Sequence, residues 1–139
     1  MQTILLTAPV LCLAFLTILF LQSGLDKVFN YRGNKEWLSG HFENSPLEKM
    51  VAIMVPVITI LEVFSGVFCG LGIIQIIFDG STQLGLIGAQ LSTVSILALF
   101  FGQRIAQDYA GAATLTTYFI ICIITIYLLE EQNGFSGLF

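Results

Sequence analysis

Residues 50–78 read MVAIMVPVITILEVFSGVFCGLGIIQIIF, a run in which Glu62 is the only charged residue. A helix that crosses the hydrocarbon core of a bilayer needs about 20 mostly apolar residues. Because backbone polar groups inside a bilayer must bond within their own segment, this run predicts a membrane-spanning α-helix. Glu62 lies about twelve residues past Met50, which at a rise of ~1.5 Å per residue places it ~18 Å along the helix, near the middle of the bilayer.

Three further apolar stretches accompany this run. Of the whole chain, 56% is hydrophobic and 10% is charged, whereas a soluble domain carries about 25% charged residues. Short loops make consecutive helices antiparallel neighbours. We predict an all-α integral membrane protein, a single domain over residues 1–139 that forms an up-down-up-down bundle of four transmembrane helices. The predicted helices cover about residues 3–29, 46–78, 82–104 and 108–130, with a connection at 30–45.

The first helix has neither the basic start nor the small-residue cleavage site of a signal peptide, so we expect it to be retained. Glycines that suit close helix packing occur in the second and third predicted helices. They are Gly66, Gly70, Gly72, Gly85 and Gly88.

The connection between the first two helices carries two local signals. Ser45 followed by Pro46 and Glu48 is typical of a helix start, in which Ser45 caps and Glu48 closes a capping box. Before it, residues 34–42 place Trp37 among polar residues, and tryptophan is enriched at membrane interfaces. We expect a short interfacial helix or turn anchored by Trp37; an irregular loop is the alternative.

The basic residues predict the orientation of the bundle. If the four helices alternate in direction, every lysine and arginine falls on one side, and the other side carries only acidic charges. Since basic residues mark cytoplasmic loops, we expect the connection 30–49 to be cytoplasmic and both termini to lie outside. The basic residues are Lys27, Arg32, Lys35, Lys49 and Arg104; the acidic ones opposite are Asp79, Glu130 and Glu131.

Glu62 is the first candidate site residue, because a charged group inside a membrane helix is costly and marks function or a structural pair. The functional interpretation is a group that accepts a proton or contacts a ligand. The structural interpretation is a carboxyl group hydrogen-bonded to other helices, which holds the bundle in register. Both interpretations stay open from the sequence.

A second candidate site lies at the cytoplasmic end of the bundle. The end of the first helix and the start of the fourth carry polar and charged residues, and the predicted topology places both on the same side. We expect Asp26, Lys27, Arg104 and Asp108 to form one ionic network beneath the bundle, with Gln22 on the same helix face as Asp26. The network is either structural or a site for a headgroup or a quinone head.

Other chemistries are disfavoured. The three cysteines lie on different helices without a vicinal pair, which argues against a thiol–disulfide relay, and we predict no metal site. His41 is the only histidine, so the chain cannot supply paired histidine ligands to a haem. A net charge of -4 gives no basic face for nucleic acid. We therefore expect no cofactor held by this chain alone, with quinone as the candidate shared with a partner.

Three segments of the chain resemble the DoxX family of small four-helix bacterial membrane proteins. They are residues 20–28 (FLQSGLDKV), 61–72 (LEVFSGVFCGLG) and 108–115 (DYAGAATL). The resemblance implies a bacterial inner-membrane protein, and it points to Lys27, Glu62 and Asp108 as positions to test. Some DoxX-like proteins are membrane subunits of quinone-linked sulfur oxidoreductases, and others are membrane partners of redox-stress enzymes.

Three functional hypotheses follow. The first is a non-catalytic accessory or anchoring subunit, embedded in membrane lipid and bound to other membrane proteins of a redox complex. The second is a quinone-coupled oxidoreductase subunit, in which Glu62 or the cytoplasmic cluster contacts the quinone head. The third is a small proton or solute transporter built around Glu62, which needs an oligomer because four helices leave little room for a pore.

Overall fold

The structure, a computed structural model, describes residues 7–138, and side chains within residues 7–131. Over this range the chain forms five α-helices and a 3₁₀ turn at Glu48–Met50. Residues 3–6 of the first predicted helix lie outside the described residues. The helices are α1 (Ala8–Phe29), α2 (Tyr31–His41), α3 (Val51–Asp79), α4 (Gln83–Ile105) and α5 (Tyr109–Leu138).

The predicted all-α bundle is confirmed, since α1, α3, α4 and α5 are each long and apolar enough to cross a membrane. Around the bundle α1 packs on α3, α3 on α4, and α4 on α5, whereas α5 and α1 share only a small contact. We call the line where they meet the α1–α5 seam. Phe15 and Tyr118 bridge it, with ring centroids 6.3 Å apart.

Glycines bring neighbouring helices into backbone contact. A Cβ atom added to Gly72 would lie 2.3 Å from the Cα of Gly85, and one added to Gly88 would lie 2.6 Å from the backbone nitrogen of Cys69. No side chain fits at such distances, so these residues set how closely α3 and α4 approach. The prediction that the glycines serve close packing is confirmed at these contacts.

The start of α3 differs from the prediction. The α-helix begins at Val51 rather than at residue 46, after the 3₁₀ turn. Ser45 does not cap a helix, because neither the 3₁₀ turn nor α3 starts at it; its Oγ instead accepts the backbone N–H of Leu47 at 3.2 Å in a local turn. Glu48 accepts from the N–H of Asn44 at 3.2 Å rather than from that of Ser45. Asn44 adopts φ 66°, so the chain turns sharply there and the α-helix starts later.

The connection between α1 and α3 contains α2, so the interfacial helix is confirmed over the irregular loop. Trp37 is 62% exposed on this helix. Directly after it, Phe42 is buried with Val51 and Val55 of α3 in a small cluster that also includes Leu38 of α2. This cluster holds α2 against the end of the bundle that carries Lys27, Arg32, Lys35, Lys49 and Arg104, which we call the basic end.

Candidate functional site at the basic end

Lys27 and Glu62 form an ion pair between α1 and α3. The Nζ of Lys27 lies 3.1 Å from Oε1 of Glu62 and donates hydrogen bonds to Oε2 at 3.4 Å and to the Oγ of Ser23 at 2.9 Å. The Glu62 side chain is 1% exposed and that of Lys27 is 15% exposed. Oε1 is the oxygen closer to Lys27, but it accepts no hydrogen bond from Lys27 or from any other described residue.

Local sequence explains the pairing. Gly24 lets α1 approach α3 so closely that an added Cβ would lie 3.0 Å from the backbone nitrogen of Val63. Lys27 follows Gly24 by almost one helical turn, so its side chain is carried to the same side of α1. Glu62 lies beside Val63 and is therefore within reach of the ammonium group.

This register places Glu62 beside a residue near the end of α1. Gly24, which contacts the backbone of Glu62, lies five residues before Phe29, the last residue of α1. At ~1.5 Å per residue, that is only ~7.5 Å from the end of α1. Along its own helix, Glu62 lies eleven residues past Val51, the first residue of α3, or ~16.5 Å, and its depth in a bilayer stays a prediction.

The predicted network of Asp26, Lys27, Arg104 and Asp108 is replaced by separate contacts. Lys27 turns inward to Glu62 instead of joining Asp26. Asp26 is exposed, and its carboxylate accepts a hydrogen bond from the side-chain amide of Asn34 on α2 at 3.3 Å. Gln22 is also exposed and takes no part in these contacts.

Arg104 and Asp108 are separated by a break in the helix. The sequence would pair them only if the helix were continuous, but α4 ends at Ile105 and Gln107 adopts φ 62°. The guanidinium carbon of Arg104 instead lies 4.6 Å from the ring centroid of Tyr109, a cation–π geometry. Asp108 caps α5, because its Oδ1 accepts the backbone N–H of Gly111 at 2.9 Å.

His41 is a site residue that the sequence did not predict. Its Nε2 lies 2.5 Å from Oε1 of Gln103 and 3.7 Å from Oδ2 of Asp108. Its ring stacks on Trp37 with centroids 4.7 Å apart and planes 13° apart. The spacing of four residues puts Trp37 and His41 on one face of α2, but nothing local to α2 indicates Gln103, 62 positions away along the chain.

A cavity of about 410 Å³ lies beneath α2 at the basic end. Lys27 is the only charged residue among those that line it, and Asn34, Gln103 and Thr114 add polar groups. The rest of the wall is apolar apart from the indole N–H of Trp37, and comes from α2, α3, α4 and α5 and from the residue that follows α2. These residues are Trp37, Leu38, Phe42, Met54, Ile58, Ala98, Leu99, Gly102, Gly111 and Leu115.

The cavity is placed at the basic end of the α1–α5 seam. Lys27 comes from α1, and Gly111, Thr114 and Leu115 come from α5, the adjacent pair of long helices with the smallest contact. A molecule with a polar head and an apolar tail can therefore place its head beside Lys27 while its tail remains among lipid chains. The Lys27 ammonium and the Gln103 amide nitrogen are donors that suit a head with acceptor oxygens. The Asn34 amide and the Thr114 hydroxyl already donate to backbone carbonyls, of the residue that precedes α2 and of α5 respectively.

Within the part of the chain that the structure describes, no three His, Cys, Asp or Glu residues come close enough to hold a metal ion. Comparisons of the chain with protein-family models, with curated proteins and with solved structures give no match. The geometry at the basic end is therefore the basis for a functional assignment.

Proposed function

We propose that this chain is a DoxX-like accessory subunit of a larger membrane redox complex and that it holds the head of an isoprenoid quinone in the cavity at the basic end. Two of the three segments that resemble the family contribute to the cavity wall, and the third is joined to it through Lys27. Lys27 of residues 20–28 pairs with Glu62 of residues 61–72, and Gly111, Thr114 and Leu115 of residues 108–115 form part of the wall.

The cavity is the main support for quinone binding. Its volume of about 410 Å³ falls within the range of about 300–1,000 Å³ that is usual for small-molecule sites, which combine an apolar wall with a few polar groups. A quinone head is a flat, largely apolar ring with two carbonyl oxygens. Lys27 and the Gln103 amide supply donors for those oxygens, and the α1–α5 seam gives the isoprenoid tail a path to the bilayer.

The accessory role is proposed because the sequence offers few ligands for a redox cofactor. His41 is its single histidine, and it is engaged with Gln103, so the electrons that reduce or oxidise the quinone come from a partner. We expect purification in a mild detergent to yield a complex with a flavin, haem or iron–sulfur protein, as determined by native mass spectrometry. A chain that purifies alone under such conditions contradicts the accessory role.

We also propose that the protein resides in a bacterial inner membrane with the basic end on the cytoplasmic side. The support is the basic charge at that end, which marks cytoplasmic loops. A reporter enzyme that works only in the cytoplasm should be inactive when fused after Phe139 and active when inserted between Glu43 and Asn44, two exposed residues of the connection. The reverse pattern would invert the orientation.

Trp37 provides a direct test of quinone binding, because it is the only tryptophan and it lines the cavity. In nanodiscs, a benzoquinone with a decyl tail should quench its fluorescence saturably, whereas decylbenzene, which has the tail and no carbonyl groups, should not. Ala98→Phe fills the cavity and should weaken quenching by about tenfold or more, as expected for the loss of well over 1 kcal/mol of binding.

The matched control is Val94→Phe, which adds the same ring one turn earlier on α4 at a residue that is 50% exposed and does not line the cavity. It should leave the quenching curve unchanged. Quenching that rises linearly with quinone concentration, and equally in both variants, reports quinone dissolved in lipid and refutes the site.

A further inference from the structure

Lys27 contacts Glu62 and also lines the cavity. On one side its Nζ lies 3.1 Å from Oε1 of Glu62, and on the other its side chain lines the cavity. The Glu62 side chain is 1% exposed and does not line the cavity. A head that binds in the cavity therefore approaches Lys27 and not Glu62, and an anionic head competes with Glu62 for the same ammonium group.

Glu62 has little to replace Lys27. Among the described residues its only recorded hydrogen bond is the one from Lys27, and Oε1 accepts none. A buried carboxylate that loses its partner is strongly disfavoured relative to its neutral form, because burial removes the water that stabilises the charge. The neutral acid also gains an O–H group that can donate a hydrogen bond.

We propose that this protein binds an anionic, amphipathic head together with one proton, which Glu62 takes up as Lys27 turns from Glu62 to the ligand. The inference rests on the proposed function and deepens it, because it assigns the cavity to a quinone-type head that carries an ionised hydroxyl group. The balance is one anion and one proton bound: the ion pair between Lys27 and Glu62 is exchanged for one between Lys27 and the ligand, and Glu62 becomes a carboxylic acid. No electron is transferred in this step.

Among the described residues, no other ionisable group is placed as directly as Glu62 to take up this proton. On α1 the neighbouring Asp26 is exposed and bonded to Asn34. On α2, His41 is bonded to Gln103 and faces Asp108. Helix α4 has no ionisable residue between Gln83 and Gln103. The remaining ionisable groups of α3 and α5 within the bundle are Cys69, Tyr118, Cys122 and Tyr127.

Coupling of this kind makes the affinity depend on pH. One proton taken up per ligand means that the dissociation constant falls about tenfold for each unit by which the pH is lowered, as long as Glu62 is ionised in the free protein and the ligand is ionised in solution. Binding to an ammonium group without proton uptake would leave the dissociation constant unchanged over the same range.

The test is calorimetric titration of the whole chain in phosphatidylcholine nanodiscs with 2-hydroxy-1,4-naphthoquinone bearing an undecyl tail, which is an anion at neutral pH. Titration in two buffers with different ionisation enthalpies counts the protons bound with the ligand. We expect about one proton per ligand for the wild-type chain and for Glu130→Gln, in which an exposed carboxylate at the other end of the bundle is replaced. Glu62→Gln should bind the probe with about zero protons.

If Glu62→Gln fails to fold, the wild-type chain still tests the coupling, because a count of about zero protons per ligand contradicts it. Binding without proton uptake, or proton uptake that persists in Glu62→Gln, overturns the coupling and leaves the quinone site standing. No binding by the wild-type chain overturns the proposed function and the coupling with it. If adding phosphatidylglycerol to the nanodisc abolishes the quenching of Trp37 by the neutral decyl benzoquinone, the cavity belongs to a lipid phosphate and the quinone assignment is wrong; unchanged quenching supports it.

Discussion

The two ends of the bundle differ in what lies between neighbouring helices. At the far end, where α3 passes into α4, glycine backbones touch at Gly72 and Gly85, and the Gln75 side chain accepts the N–H of Leu84 at 2.9 Å. At the basic end the helices leave a cavity of about 410 Å³ and bring side-chain charges together. The Gln75 side chain at the far end is used on the backbone, whereas Lys27 at the basic end both pairs with Glu62 and lines the cavity.

Helix α3 belongs to both ends, and this explains how one supports the other. Gly72 fixes its distance from α4, and Glu62, ten residues earlier, meets Lys27 of α1. Since an α-helix is stiff over such a length, the glycine contact restricts the place where the carboxylate can lie. The closely packed end therefore sets the register of α3, and this register places Glu62 at the open end.

The largest effect should come from leaving Glu62 without its cation. Lys27→Met removes the ammonium group but keeps an apolar stem, and the loss of one member of a buried ion pair costs about 3–5 kcal/mol. We expect the free energy of unfolding, measured by titration of micelles with a denaturing detergent, to fall by an amount near the lower limit, since Lys27 is 15% exposed. Lys35→Met, at an exposed residue of α2, is the control and should be nearly neutral.

The double variant Lys27→Met/Glu62→Leu separates the pair from its surroundings. Replacing a buried ion pair by apolar residues of similar size is often neutral or stabilising, so the second change should recover most of the loss. If the double variant is as unstable as Lys27→Met alone, the cost belongs to packing and not to an unpaired carboxylate.

The next effect in size tests the far end. In Gly72→Ala the new methyl group meets the backbone of Gly85, which cannot move aside as a side chain can, and overpacking of this kind costs about 1–3 kcal/mol. Gly70→Ala, two residues earlier, is the matched control, because its Cβ would lie 3.5 Å from Cγ2 of Thr17, an ordinary contact. Equal unfolding free energies for the two variants would mean that the glycine contact does not set the spacing.

The difference between the two ends also determines what could be predicted from the sequence. The four apolar stretches give the helices directly, because length and hydropathy are local properties, and the glycines identify packing positions. The partners are not local: Gly72 meets Gly85 and Lys27 meets Glu62 only in a particular register. The i, i+4 spacing suggested that Arg104 pairs with Asp108, and a single residue with positive φ, Gln107, breaks that spacing.

The smallest effect concerns the attachment of α2 over the cavity. Two of the contacts of His41 are a stacked ring on Trp37 and a hydrogen bond with Gln103, and His41→Phe keeps an aromatic ring while removing the second. A hydrogen bond of this type contributes about 1 kcal/mol, so α2 should leave the bundle more often. The fluorescence anisotropy of Trp37 should then fall.

His41→Ala removes both contacts and should lower the anisotropy further, whereas Ser39→Ala, at an exposed residue of the same helix, should not change it. If His41→Phe behaves like the wild type, the stacked ring and the Phe42 cluster hold α2 by themselves, and Gln103 is free to donate its amide to a bound head. If His41→Phe matches His41→Ala, the contact with Gln103 fixes the helix, and the wall of the cavity depends on a residue of α4 that the sequence of α2 does not reveal.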